Sequence, residues 1–73
     1  MANLYFRNAD RSEELVQKGS IDLGNAMKII DKDLAKRRPK FISFYKRWWE
    51  DDNGNYWIDY GSHSEFYILK EEN

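Results

Sequence analysis

The chain has 73 residues, 41% apolar and 16% aromatic, with twelve Lys and Arg against thirteen Asp and Glu for a net charge of −1. That describes one small domain, too aromatic and too evenly charged for wholesale disorder. With no cysteine and one histidine, a disulfide framework, a thiolate nucleophile, a cysteine-ligated metal and a histidine-rich metal site are all excluded, and no cofactor is expected.

No apolar run approaches the roughly 18 residues of a membrane helix, and the first residues lack the basic-then-apolar plan of a secretory signal. The expectation is a soluble cytoplasmic protein without membrane contact. A domain below roughly 70–80 residues gains only a few kcal/mol net from its core. Three Trp, five Tyr and four Phe supply unusually large side chains for so short a chain, and a partner chain is the other remedy.

The segment Asn3–Arg7 alternates, with Leu4 and Phe6 on one side and Tyr5 on the other, and reads as a short edge strand. Asn8 or Asp10 then caps a helical turn through Glu13, Glu14, Leu15 and Val16, closed by Gly19. From Asp22 to Arg38 a longer helix is expected. Asp22 is its N-cap, Leu23, Ala26, Met27, Ile30 and Leu34 recur at steps of three and four, and Lys36, Arg37 and Arg38 sit where the dipole favours cations. Pro39 ends it, because proline disfavours helical geometry in the preceding residue. That stripe reads as core rather than as a cofactor box.

Phe41–Glu50 is dense in aromatic and β-branched residues, Asp51–Asn55 reads as a turn around Asn53-Gly54, and Tyr56–Tyr60 is a second strand. Gly61–Ser64 is a second turn, Glu65–Lys70 a third strand and Glu71–Asn73 a polar tail. The fold class expected is α+β: one amphipathic helix packed on a three-stranded antiparallel meander, preceded by a short strand or turn of helix.

Register decides the faces. With Asp51 opposite Asn55 and Gly54 as a bulge, Trp48 faces Ile58 and Arg47 faces Asp59; a strict two-residue turn at Asn53-Gly54 would swap the faces of the first strand. With Gly61 opposite Glu65, Tyr60 faces Phe66 and Ile58 faces Ile68. One face then gathers Ile42, Phe44, Trp48, Tyr56, Ile58, Tyr60, Phe66 and Ile68 as a bed for the helix, and the other gathers Phe41, Tyr45, Arg47, Trp49, Trp57, Asp59, Tyr67 and Leu69. Both faces are aromatic, and one helix covers one of them. The second face is either covered by the N-terminal segment or offered to a partner, and Trp, Tyr and Arg dominate binding hot spots. The candidate protein-binding residues are therefore Tyr45, Arg47, Trp49, Trp57, Asp59 and Tyr67.

Charge is segregated along the chain. Residues 28–47 hold eight bases and two acids, and residues 50–73 hold seven acids and one base. The plain reading is that the blocks pair or lie on opposite solvated faces. The alternative is nucleic-acid binding by Lys36, Arg37, Arg38, Lys40, Lys46 and Arg47, basic residues interleaved with aromatics in the manner of single-strand binders. Helix followed by three strands also resembles part of a double-stranded-RNA-binding domain, without its final helix and basic helix start. The acidic last third argues against phosphate.

Enzyme chemistry has little to work with. His63 lies between Ser62 and Ser64, near Glu65, in a turn whose neighbours lack the orienting geometry of a triad, so turn chemistry is the simpler role. Glu50, Asp51, Asp52 and Asn53 lack the ligand alternation of a calcium loop. Isolated Gly19 and Gly24 form no phosphate loop, and no small-molecule substrate is evident. The run Trp57-Ile58-Asp59-Tyr60-Gly61-Ser62-His63-Ser64-Glu65-Phe66-Tyr67 resembles a segment of small uncharacterised proteins of phages and mobile elements from low-GC Gram-positive bacteria. The resemblance covers the C-terminal half and implies a phage or mobile-element origin, with no activity attached. The function expected is non-enzymatic binding of another protein, or of a second copy, through the exposed aromatic sheet face.

Overall fold

The structure is a computed structural model that describes residues 2–40, 46–62 and 64–71. Leu4 and Phe6 are fully buried and Tyr5 between them only partly, the period-two signature of a strand with one core face. Ala2–Arg7 form β1. Glu13–Gln17 form β2, antiparallel to β1, with Phe6 opposite Glu14, Arg7 opposite Glu13 and a bulge between Leu4 and Tyr5.

The helical turn expected over Glu13–Val16 is thus a strand. Asn8 and Asp10 spend their side chains on a tight turn instead of a helix cap. Asn8 donates its side-chain Nδ2–H to the Ser12 carbonyl and Oγ (3.2 Å each) beside its backbone N–H on the same carbonyl (2.8 Å), and Asp10 Oδ1 accepts from the N–H (2.9 Å) and Oγ (2.6 Å) of Ser12. Those bonds hold the Asp10 carboxyl below its ordinary range. Asn and Asp satisfy turns and helix starts by the same local hydrogen bonding, which is why the two readings compete.

Helix α1 spans Leu23–Arg37 with Asp22 as N-cap, its Oδ1 accepting the N–H of Asn25 at 2.7 Å, and it closes with the Arg38 N–H on the Leu34 carbonyl at 2.8 Å. Ala26, Ile30 and Leu34 are its buried stripe. These bounds agree with the sequence reading to one residue at each end.

Arg47–Glu50, Tyr56–Asp59 and Phe66–Glu71 form β3, β4 and β5, an antiparallel meander. The meander is not the whole sheet. β5 also pairs with β1, so five strands stand in the order β2-β1-β5-β4-β3, and β1 is internal where a short edge strand was expected. The reason is legible in the finished fold: Leu4 and Phe6 complete the bed beneath α1 beside Leu69 and Tyr67, which a three-stranded meander would leave open at one side.

The first hairpin of the meander has the expected register. Asp51 N–H meets the Asn55 carbonyl at 2.9 Å, Gly54 takes φ 81°, and Trp48 lies opposite Ile58 and Arg47 opposite Asp59. The second slips by one residue: Ile58 faces Tyr67, not Ile68, and Trp57 faces Ile68. Side chains widen that turn. Asp59 Oδ1 takes the Gly61 N–H at 2.8 Å, Ser62 Oγ takes the Glu65 N–H at 3.1 Å, and Tyr60 turns into the core with its hydroxyl donated to Glu65 Oε1 at 2.8 Å. A one-residue slip exchanges every side chain of a strand between faces. Tyr67 and Leu69 therefore lie under the helix, and Phe66 and Ile68 lie on the other face, the reverse of the expectation.

Candidate interaction surface

The face of the sheet opposite α1 carries Tyr5 and Arg7 from β1, Glu13 and Leu15 from β2, Phe66, Ile68 and Lys70 from β5, Trp57 and Asp59 from β4, and Arg47 and Trp49 from β3. The N-terminal hairpin lengthens the sheet sideways, so among the described residues nothing is layered over this face. Its own side chains shield its centre. Ile68 is only 1% exposed between Tyr5 and Trp57.

Three rings form the heart of the face. Trp49 and Trp57, opposite one another in the register, stack at 6.3 Å between centroids, and Phe66 meets both edge-on at 6.0 and 5.7 Å. Aromatic pairs prefer these offset and edge-to-face arrangements to a flat sandwich. Trp57 is anchored as well as packed: its Nε1–H donates to Asp51 Oδ2 at 2.8 Å. That bond first, then the backbone N–H groups of Asn55 and Asn53, holds the Asp51 carboxyl below its usual range. Trp49 has the freer position on the edge strand and is 44% exposed.

Charges frame the rings. Arg7 lies 5.0 Å over the Trp57 ring and pairs with Glu13, which also takes Lys70; Lys70 in turn lies 5.1 Å from the Tyr5 ring. On the other flank Arg47 donates to Asp59 Oδ2 at 3.1 Å, and the second oxygen of Asp59 is committed to Gly61. The Arg47 side chain is largely exposed, so this pair contributes orientation more than stability.

Four of the six protein-binding candidates, Arg47, Trp49, Trp57 and Asp59, are brought together here. Tyr67 is not. It is fully buried under the helix, edge-on to Phe6 at 5.1 Å and donating its hydroxyl to Asp33 Oδ2. Burial first, then Asp33, raises its pKa strongly. Tyr45 lies outside the described residues, as do Phe41, Ile42, Phe44 and His63. Phe66, Tyr5, Arg7 and Leu15 were missed: the first through the register slip, the others because β1 and β2 were not read as part of the sheet.

The basic candidates do not form one patch. Arg37 is held by Asp33 (2.9 Å) and Glu14 (2.7 Å) and lies 4.0 Å over the Phe6 ring; burial opposes its charge, but the two carboxylates outweigh burial and raise its pKa. Arg38 pairs with Glu65 at 2.7 Å, Lys46 with Asp31, and Arg47 with Asp59 on the opposite side of the sheet. Lys36 and Lys40 remain as exposed cations with no ion pair among the described residues. Arg37, Arg38, Lys46 and Arg47, half of the eight bases of residues 28–47, are therefore engaged by carboxylates of the same molecule.

Two shallow clefts of about 270 and 350 Å³ flank the helix. The first is lined mainly by apolar groups with Asp22 and Glu71 at its rim, and the second by Lys32, Lys36 and Asp33. Neither joins a nucleophile to a base. Among the described residues no group of three acids or histidines is placed to hold a metal, and no helix is long and apolar enough to cross a membrane. Compared with protein-family models, with curated proteins and with solved structures, the chain finds no match in any of the three.

Proposed function

We propose that this chain is a non-enzymatic binding protein that holds another protein against the uncovered sheet face around Trp49 and Trp57. One observation carries the reading: a stacked and edge-packed cluster of Trp49, Trp57 and Phe66 lies on a face with no covering layer among the described residues, with Trp49 44% exposed at its rim. Half-exposed Trp flanked by an Arg–Asp pair is the composition of a binding hot spot, where rigid rings enter a partner's pocket and rim charges set orientation. A bacterial host protein is the partner class proposed, on the phage or mobile-element origin that the resemblance of residues 57–67 implies. Nucleic acid is the weaker reading, because Arg37, Arg38, Lys46 and Arg47 already face carboxylates that phosphate would have to displace.

The test compares the natural chain with Trp49→Ala, each immobilised and exposed to nuclease-treated bacterial extract. The reading expects a protein retained by the first and lost from the second. Equal retention by both, or retention only before nuclease treatment, overturns it.

A further inference from the structure

The edge of the sheet says more about the partner than its face does. β3 ends the sheet, and among the described residues β4 is its one neighbour. All four of its residues are exposed, with Trp48 at 54% on the helix side and Trp49 on the other. An exposed edge strand is a template for a further strand unless something blunts it. The opposite edge differs: on β2, Glu13 is tied to Arg7 and Lys70, and Glu14 to Arg37.

The phase of the β3 edge is fixed by the hairpin. Asp51 donates its N–H to Asn55, so Asp51, Trp49 and Arg47 turn their backbone groups toward β4. The alternation of an antiparallel ladder then turns those of Trp48 and Glu50 outward. A new antiparallel strand must set outward groups against outward groups. A second copy does this about a two-fold axis with Trp48 opposite Trp48.

That register has a chemical consequence. The segment Lys46-Arg47-Trp48-Trp49-Glu50 runs from basic to acidic around two Trp, so it complements itself when antiparallel. Lys46, whose ammonium already pairs with the exposed carboxylate of Asp31, falls opposite Glu50 of the second copy, twice by symmetry, beside the Trp48 pair; its three N–H donors serve both carboxylates, and Arg47 falls opposite Trp49 on the other face. The neighbouring register, with Trp49 opposite Trp49, sets Arg47 against Asp51. The Asp51 carboxylate is already occupied by the N–H groups of Asn53 and Asn55 and by Trp57 Nε1, which disfavours it.

We propose that β3 is the pairing edge of a homodimer, in which two copies join antiparallel through Lys46–Glu50 into one continuous ten-stranded sheet. The inference goes beyond the protein-binding reading of the face: it concerns the edge of the sheet, and its partner is a second copy of this chain. It also places both Trp49–Trp57 clusters on the same side of the joined sheet.

The experiment is light scattering of the full chain over a concentration series, with circular dichroism to follow folding. The variants are Lys46→Glu, Glu50→Lys, the double exchange and Glu50→Pro. Cross-strand like charges repel, so each single reversal is expected to weaken the dimer by about tenfold and the double exchange to restore it; Lys46→Glu also loses the Asp31 pair within its own chain, whereas Glu50→Lys leaves that pair intact and is the cleaner reversal. Glu50→Pro removes an outward N–H that β4 does not use, and is expected to leave a folded monomer. Should the proline variant unfold, the charge series decides alone. A monomer at every concentration overturns the inference and leaves the extract test of the sheet face standing. A dimer indifferent to the charge and proline variants but lost in Trp57→Ala also overturns it, and assigns the contact to the face. Singles that weaken without rescue by the double exchange overturn the register and with it the inference.

Discussion

The two faces of the sheet are made of the same kinds of residue and have different fates. Under α1 lie Phe6, Tyr60 and Tyr67, fully or almost fully buried and edge-packed on one another, with both hydroxyls donated to carboxylates. On the other side lie Trp49, Trp57 and Phe66, similarly edge-packed, but with charged residues over and beside them instead of a helix. The covered face is finished: each buried polar side-chain atom among the described residues has a partner. The uncovered face buries Ile68 by its own rings and still presents Trp49 to solvent. Aromatic content alone therefore does not separate core from surface; the covering layer does.

That contrast is sharpest in stability. Phe6→Ala removes a fully buried ring that packs on Tyr67 and carries Arg37 over its other side. The expected loss is about 3–5 kcal/mol, comparable with the whole stability of so small a domain, and thermal or urea unfolding should find the variant largely unfolded. Trp57→Ala is expected to cost less, about 2 kcal/mol, because the ring is only partly buried, although it loses the Asp51 bond and uncovers Ile68. If the Trp57 change costs as much as the Phe6 change, the uncovered face is a second core and the comparison breaks.

How far this contrast was readable from the sequence depended on the kind of signal. The helix was legible to one residue because its stripe, its Asp22 cap and Pro39 agree on one answer. The Asp51–Asn55 hairpin was legible because Asn53-Gly54 states its own geometry. The second turn was not, since its width is set by Asp59 and Ser62 side chains that bond to the backbone two and three residues ahead. Sequence shows such residues but not which N–H they will choose. β2 was missed because Glu13–Gln17 carries little burial and its strand character comes from pairing with β1. Of the binding candidates, those on β3 and β4 depended on the legible hairpin and held together; Tyr67 depended on the other and crossed to the core.

Titration probes the covered face. Burial and then the Glu65 carboxylate push the Tyr60 hydroxyl up to about 12, and burial with Asp33 raises Tyr67 as well. A raised phenol favours the folded state while it is neutral. Its contribution is complete below the ordinary value of 10.0 and is lost as pH climbs from there toward about 12. At the acid end, burial alone would raise Glu65, but the Tyr60 hydroxyl and Arg38 together lower it below its ordinary 4.5. Its contribution is therefore full above that value and disappears as pH falls beneath it. Urea midpoints measured across pH should decline on both limbs, and Tyr60→Phe should shrink the alkaline decline. An unchanged alkaline limb in that variant would locate the titrating group elsewhere.

The smallest expected stability effect belongs to the residue with the largest expected role in binding. Trp49 is an edge-strand residue 44% exposed, and its substitution by Ala removes one stacked and one edge-on ring contact without opening the helix core. Aromatic pair contacts are worth about 0.5–1.5 kcal/mol each when buried, and the lower end applies to a half-exposed ring. A loss below about 1 kcal/mol is expected in urea unfolding. Partner retention should nonetheless fall sharply, since truncating a central hot-spot ring costs about 2 kcal/mol or more of binding. The two measurements on one variant separate the possible roles of the ring. Large destabilisation with no loss of binding beyond the unfolded fraction would make Trp49 a packing residue, while near-natural stability with binding lost makes it the contact by which an otherwise self-covered face recognises its partner.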